Sequence, residues 1–319
     1  MERLLITGGS GFVGSALARA IQRLRPDYSI RILDLLPPAT DQVEYVNGNV
    51  VDRAVVERAV QDCTAVAHLA AAVGVDYTER NGDTVRKVNE IGTWNVLDSA
   101  YRAGIEKLLF ASSSEVYGDS QVQPIPETAV LAPKSVYGES KLKGEEFVAH
   151  FRALGARLWR VVRFFNLYGP QQRPAFVVSR FVNAVARNEP PVIYGPGTQV
   201  RSFCHIDDGV QCVMQALFSD TNGEFIFNIG NSSEPVSVAA LAERVIALNA
   251  RDLKPRFIPF IGSDRTEDRE IWTRIPDISR AARYLGYKTA ISLDSGLTDM
   301  LRHAVVAAGN VFTRSNASA

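Results

Sequence analysis

Tyr137 and Lys141 stand four residues apart in the run Ser135-Val136-Tyr137-Gly138-Glu139-Ser140-Lys141. On a helix that spacing puts the phenol and the ammonium on one face. An ammonium favours the phenolate, so the expected effect is a tyrosine pKa drawn down towards the range of a general base. The same spacing recurs at Tyr284 and Lys288. There Gly286 interrupts the helix, and that pair is not read as a site. A group of hydroxyls lies in Ala111-Ser112-Ser113-Ser114-Glu115-Val116-Tyr117-Gly118, directly after an apolar run. A serine run after a strand is often only a turn or a helix cap. At the carboxyl end of a parallel strand, however, a hydroxyl faces the crevice where ligands bind. Glu115 would add a carboxylate to the same place.

The third chemical feature is Thr7-Gly8-Gly9-Ser10-Gly11-Phe12-Val13-Gly14, between the apolar run Leu4-Leu5-Ile6 and the helical spacing of Ser15–Ile21. Strand, glycine turn, helix is the context in which backbone amides and the positive end of a helix cradle a pyrophosphate. A second strand, Ile30–Leu33, ends at Asp34, twenty residues beyond Gly14. A carboxylate there accepts from both hydroxyls of an adenosine ribose and repels a 2′-phosphate. Leu35 and Leu36, which follow, offer no arginine for such a phosphate. The expected cofactor is therefore NAD rather than NADP, and the expected chemistry is redox.

The elements that must position these groups alternate. Strands are predicted at Leu4–Ile6, Ile30–Leu33, Glu44–Asn47, Ala65–Leu69, Lys107–Ser112 and Arg157–Phe164. Amphipathic helices are predicted near 13–24, 52–61, 84–103 and 138–154. That is the pattern of βαβ units on a doubly wound parallel sheet of Rossmann type, an α/β fold. From residue 167 proline and glycine become frequent, with Gly169-Pro170, Pro190-Pro191 and Gly195-Pro196-Gly197. We therefore expect a dinucleotide-binding domain over 1–166 and, over 167–319, mainly a smaller substrate-binding α/β lobe. Segments near 203–229, including the strand-like Glu224–Ile229, are expected to return to the first domain. The bulk numbers narrow the partners. The 319 residues carry 35 basic and 35 acidic side chains, a net charge of zero, which argues against nucleic acid or an anionic membrane as partner. No apolar run approaches the length of a membrane span, and the N-terminus leads straight into a strand. Cys63, Cys204 and Cys212 have neither paired nor zinc-type spacing, so a reducing cytoplasm and no metal are expected.

Together these motifs resemble the extended short-chain dehydrogenase/reductase family, in its nucleotide-sugar epimerase/dehydratase branch. The resemblance spans nearly the whole chain. It rests on Thr7–Gly14, Asp34, Gly48–Asp52, His68–Ala72, Val88–Thr93, Ser112–Gly118, Tyr137–Lys141 and Arg163–Pro170, and on Tyr194–Phe203 and Arg274–Ser279 in the second half. It implies that Gly8, Gly11, Phe12, Val13 and Gly14 hold the NAD pyrophosphate and that Asn49 and Val50 flank the adenine. Leu69, Ala70 and Ala71 would wall the pyrophosphate and nicotinamide ribose, with Phe164 also on the cofactor. Ser113 matches the hydroxyl that binds the sugar, Tyr137 the general base, and Lys141 the group that binds the ribose and holds the tyrosine pKa down. Asn166 would lie near the substrate phosphates, Val192 and Tyr194 around the nucleobase, and Arg201 and Arg274 on the diphosphate, where guanidinium forks suit phosphate oxygens. The family commonly carries Asp where this chain has Asn49. An asparagine oxygen can still accept from the adenine amino group.

The resemblance implies one opening step, oxidation at C4 of a nucleotide-diphosphate sugar to a 4-keto species. Its later fates are 4-epimerisation, loss of water, or loss of carbon dioxide from a uronate. The related dehydratases usually have Asp-Glu after the Ser/Thr, and related decarboxylases keep the glutamate. This chain has Ser114-Glu115. The motif around Tyr137 resembles epimerases more than dehydratases. The expected activity is a 4-epimerase, with a dehydratase or uronate decarboxylase using Glu115 as the alternative; a non-catalytic NAD-binding regulator is a remote one. A homodimer joined through the helices near 90–103 and 138–154 is also implied.

Overall fold

The computed structural model describes residues 2–74, 78, 80–221, 223–260 and 270–315, with side chains as far as Ala304. The strands are β1 (Glu2–Thr7), β2 (Tyr28–Asp34), β3 (Glu44–Asn47), β4 (Ala65–His68), β5 (Lys107–Ser113), β6 (Leu158–Phe164), β7 (Leu167–Tyr168), β8 (Val192–Tyr194), β9 (Val200–Ser202), β10 (Cys204–His205), β11 (Ile226–Ile229), β12 (Pro235–Ser237), β13 (Arg256–Ile258) and β14 (Thr273–Arg274). Seven of them form one sheet in the order β11-β6-β5-β4-β1-β2-β3. Every neighbouring pair in it is parallel.

A parallel sheet covered on both faces needs apolar residues at consecutive positions, and β1 shows how they divide. Leu4 and Ile6 enter one core with Leu17 and Ile21 of the helix Phe12–Leu24 and Val213 and Leu217 of the helix Ile206–Phe218. Leu5 points the other way, into a core with Val56, Val96, Phe151 and Trp159. That second layer holds the helices Arg53–Val60, Gly92–Arg102 and Val136–Ala153. After β3 the chain crosses back to lay β4 on the far side of β1, so the strand order reverses between β1 and β4. A crevice opens at the carboxyl ends of those strands.

The remaining strands are short. β9 lies between β12 and β14, β8 pairs with β13, and β7 pairs with β10. A third core, with Phe181, Val182, Leu241, Val245, Leu297 and Leu301, joins the helices Val177–Ala186, Val238–Leu248 and Leu293–Ser315. The chain threads between the two halves. The helix Ile206–Phe218 and β11 lie on the large sheet. So does the helix Ser279–Leu285, which buries Ala281 in the first core, a return beyond the stretch 203–229 expected to make one. The helix expected near 84–103 is three pieces: Gly82–Arg86, a π-helical turn Lys87–Ile91, and Gly92–Arg102.

Candidate active site

The glycine turn at the end of β1 is shaped by what a side chain would hit. Gly8 has φ +71, and a Cβ there would lie 2.7 Å from the Ala70 amide nitrogen. A Cβ on Gly14 would lie 2.3 Å from the Gly8 carbonyl oxygen, so only glycine lets the first helical turn approach the strand end. Gly11 caps the helix Phe12–Leu24 in extended conformation, with no side chain on the free amides and no acid in the first turn. Phe12, Val13 and Gly14 thus present donors at the positive end of a helix dipole, a fit for a pyrophosphate. Asp34 ends β2 beside this turn. Its carboxylate accepts from the Ser10 amide at 3.0 Å and the Leu36 amide at 3.1 Å, which fix its orientation over the turn.

Beyond it opens a cleft of about 460 Å³ lined by Asn49, Val51, Asp52, Thr84, Lys87 and Val88. Asn49 Oδ1 already accepts from the Val51 amide at 3.0 Å, which leaves one lone pair for an adenine amino group. Val50, expected to flank the adenine, turns its side chain into the core, where a Cβ on Gly92 would touch it at 2.6 Å. The run Leu69–Ala71 follows β4, anchored by hydrogen bonds from the Leu69 amide to the Thr7 carbonyl and from the Ala70 amide to the Thr7 hydroxyl. Phe164 ends β6, two strands away from that edge.

Ser113 is the last residue of β5, and its Oγ accepts from the Glu115 amide. Tyr137 lies in the first turn of the helix Val136–Ala153, which Ser135 caps. That helix comes close to β5 because Gly138 and Gly144 allow it: a Cβ at Gly138 would sit 2.9 Å from the Glu115 carbonyl, and one at Gly144 would overlap the Phe110 ring. One turn on, Lys141 is 3% exposed. Its Nζ donates to the Ala111 carbonyl at 2.8 Å and stands 5.8 Å from the Tyr137 ring centroid. Ser113, Tyr137 and Lys141 therefore meet at one strand end. Burial pushes Lys141 down to about 7, opposed by the charge of Glu145.

Tyr137 departs from the sequence expectation. Its pKa is raised, first by burial and then by the Glu115 carboxylate, with only a hydrogen bond to Ser113 acting against them. Burial of the phenol outweighs any help from Lys141, itself a desolvated cation held by a carbonyl. Glu115 is buried too, which would raise its pKa, but the Arg274 charge and hydrogen bond win and hold its carboxyl below the usual range, with Arg201 and Ser135 helping. Arg274 Nη1 lies 2.7 Å from Glu115 Oε1, and Arg201 Nη2 lies 2.9 Å from Glu270 Oε1. The two arginines are register partners on β9 and β14. Arg274 is 7% exposed, and among the described residues its Nε has no hydrogen-bond partner. A buried, unpaired guanidinium donor suits a phosphate oxygen.

The other substrate residues are dispersed. Asn166, at φ +41, donates to the Ser202 carbonyl and so joins the end of β6 to β9. Val192 and Tyr194 lie on β8, where the Arg180 guanidinium sits 4.7 Å from the Tyr194 ring centroid. Three supporting residues were not singled out from the sequence. Asn89, inside the π turn, pairs with both the amide and carbonyl of Ala72 and donates to Ser140, whose hydroxyl bonds the Tyr137 carbonyl. His68 bridges Thr7 and Thr93 and is pushed down to about 3, by burial and then by the charge of Lys141. Glu145, one turn beyond Lys141 on its helix, holds the buried Arg163 of β6. The available signal was a charged residue inside an apolar run, as in Leu158-Trp159-Arg160-Val161-Val162-Arg163-Phe164, which demands buried partners. Among the described residues no cluster of three or more His, Cys, Asp or Glu could hold a metal, and no helix is long and apolar enough to cross a membrane.

Similarity to known proteins agrees with this geometry. The chain is 31% identical over 307 residues to a putative UDP-glucose 4-epimerase of Methanocaldococcus jannaschii, covering 92% of this chain and 95% of that protein. It is 31% identical over 306 residues to UDP-glucuronic acid decarboxylase 6 of Arabidopsis thaliana, covering 92% and 86%. The crystal structure of the UDP-glucose 4-epimerase of Thermotoga maritima with UDP-glucose superposes with a TM-score of 0.86 at 29% identity, covering 94% of this chain and 98% of that one. The sequence profile of the NAD dependent epimerase/dehydratase family matches residues 4–230, from β1 through the glycine turn and the Tyr137–Lys141 helix to the end of β11. The chain belongs to that family.

Proposed function

We propose that this protein is a nucleotide-sugar 4-epimerase. The observation that carries the reading is the convergence of Ser113, Tyr137 and Lys141 at the end of β5, with Arg274 neutralising Glu115 beside them. The amides of Phe12–Gly14 would hold the NAD pyrophosphate, Asp34 the adenosine ribose, and Lys141 the nicotinamide ribose. When bound, NAD supplies the acceptor and donor of the C4 hydride, so it is restored within each turnover.

The chain's own groups do the rest. Ser113 hydrogen-bonds the sugar hydroxyl, and Tyr137 takes its proton and later returns it. Arg201 and Arg274 grip the diphosphate and leave the sugar free to present its other face. Ser114 is not an acid, and Arg274 holds Glu115 as its carboxylate, so no protonated carboxyl stands beside Ser113 to expel a C6 hydroxyl; this favours epimerisation over 4,6-dehydration.

A second reading has its own support. Glu115 is ionised and close enough to raise the Tyr137 pKa, where it could serve a lyase acting on the same 4-keto sugar, by dehydration or by decarboxylation of a uronate. NMR of products from UDP-, GDP-, CDP- and dTDP-hexoses and hexuronates separates them. The 4-epimer alone supports the first reading. A 4-keto-6-deoxy sugar or a pentose supports the second. No product from any of them, with NAD bound, contradicts both.

A further inference from the structure

We propose that the face of the Phe110 ring is the seat that holds the Lys141 ammonium beside Tyr137, which makes Phe110 a positioning residue for the reaction. This rests on the reading of Lys141 as part of the reaction site. Phe110 stands three residues before Ser113 on β5 and is fully buried, in the core that it shares with Val148 and Phe151 of the helix Val136–Ala153. Lys141 Nζ lies over its ring, 5.1 Å from the centroid, within the roughly 6 Å at which a ring quadrupole attracts a cation. The same Nζ donates to the Ala111 carbonyl at 2.8 Å and stands 5.8 Å from the Tyr137 ring centroid. Ring and carbonyl belong to consecutive residues of one strand, so β5 alone fixes where the ammonium sits.

The ring is itself held. His68, its register partner on β4, stacks on it with centroids 5.7 Å apart and planes at 29°. The His68 imidazole is fixed in turn by the hydroxyls of Thr7 and Thr93, at 2.7 and 2.9 Å. The helix makes room for the ring's edge at Gly144, where a Cβ would lie 2.3 Å from Phe110 Cζ. Glycine inside a helix is unfavourable, and here it stands three residues after Lys141, where any side chain would drive the ring away. An aliphatic residue at 110 would supply apolar burial as well. Only an aromatic one adds a negative face for the ammonium.

The other groups around Lys141 offer little net negative charge. On its own helix stand Tyr137, whose phenol burial keeps protonated, and Glu145. The Glu145 carboxylate accepts two hydrogen bonds from Arg163 of β6, at 2.9 and 2.5 Å, so the pair carries no net charge. From β4 comes His68, held neutral by burial. From β5 come the hydroxyls of Ser112, which is turned to Glu145, and of Ser113. Glu115, just beyond β5, is paired with Arg274. A buried ammonium needs compensation, and the ring face and one carbonyl are the partners in place.

The test changes the charge distribution of the ring and keeps its shape. Phe110 is replaced, by site-specific incorporation, with 2-fluorophenylalanine and then 2,6-difluorophenylalanine. The fluorines sit on the Cδ carbons, away from the ring edge that meets Gly144, and withdraw electron density from the face. Lys141 is titrated by NMR of protein carrying isotopically labelled lysine, with Lys141→Met identifying its signal among the seven lysines. Relative to the parent, the midpoint is expected to fall by about half a pH unit and then by about one, the second a roughly tenfold loss of the ammonium fraction above the midpoint. Phe110→Leu, which removes the face, is expected to lower it at least as far. A midpoint that stays unchanged across the fluorinated series, in protein that is folded by circular dichroism, overturns the proposal. The alkaline limb of turnover should move down with the midpoint. A midpoint that falls while the limb stays put upholds Phe110 as the seat of Lys141 and instead removes Lys141 from the catalytic reading.

Discussion

As the proposed base, Tyr137 would act from a position that makes the phenolate expensive. Burial and the Glu115 carboxylate both raise its pKa, while the hydroxyl of Ser113 and the ammonium of Lys141 are the groups placed to relieve the cost. Replacing Tyr137 by Phe removes the proton acceptor and little else, because the ring still packs. Turnover is expected to fall on the order of 10³-fold, with NAD still bound at near-parental affinity by calorimetry. Activity that survives would place the base elsewhere. At this scale the sequence was informative about identity and poor about energetics. The spacing of Tyr137 and Lys141 pointed to a shared helix face, and the structure puts them there. The sign of the tyrosine shift was not legible, because it depends on burial and on Glu115, whose proximity to Tyr137 no spacing rule reveals. The partner of Glu115 was equally hidden, since Arg274 arrives from 159 residues away.

The elements of the first half were legible because their periodicity is imposed by a sheet buried on both faces. Leu4–Ile6, Glu44–Asn47 and Lys107–Ser112 all fall within strands of the large sheet. The π turn at Lys87–Ile91 was not visible, since one extra residue in a turn leaves the apolar pattern almost intact. Its effect is to let Asn89 reach Ala72 and Ser140, which ties the cofactor crevice to the Tyr137 helix. The glycine turn makes the sharpest claim about an element. In Gly14→Ala the new Cβ would meet the Gly8 carbonyl at 2.3 Å, so the helix must shift off the strand. Stability is expected to drop by about 1–3 kcal/mol in denaturant unfolding. NAD affinity should fall about tenfold or more, because the amides of the first turn leave their places. A variant that binds NAD as the parent does would show that the turn does not set the site.

Across the whole molecule the chain builds one half, starts the other, and returns to the first. That weaving was only partly readable. Short strands such as β7, β10 and β14, of two residues each, have no periodicity to detect, and the packing of the helix Ser279–Leu285 on the large sheet is a tertiary choice. The weave matters because it sets Arg274, the register partner of Arg201, against Glu115 just beyond β5. We also propose a homodimer through the helices Gly92–Arg102 and Val136–Ala153; Tyr101 on the first is 38% exposed, and Ile91 and Leu154, which flank the two helices, are 52% and 53% exposed. Light scattering should then return twice the 35.0 kDa chain mass, and Ile91→Glu should shift it towards the monomer. A parent that runs as a monomer at micromolar concentration would refute that interface.

The central claim is that the hydride leaves C4 of a nucleotide sugar and comes back to C4. It is tested most directly by taking the nucleotide sugar that the product panel shows to be turned over, deuterating it at C4 and following products by NMR. The account predicts the 4-epimer with deuterium retained at C4 and no net reduction of NAD. Deuterium found at C6 of a 4-keto-6-deoxy product, or exchanged into solvent, would contradict it.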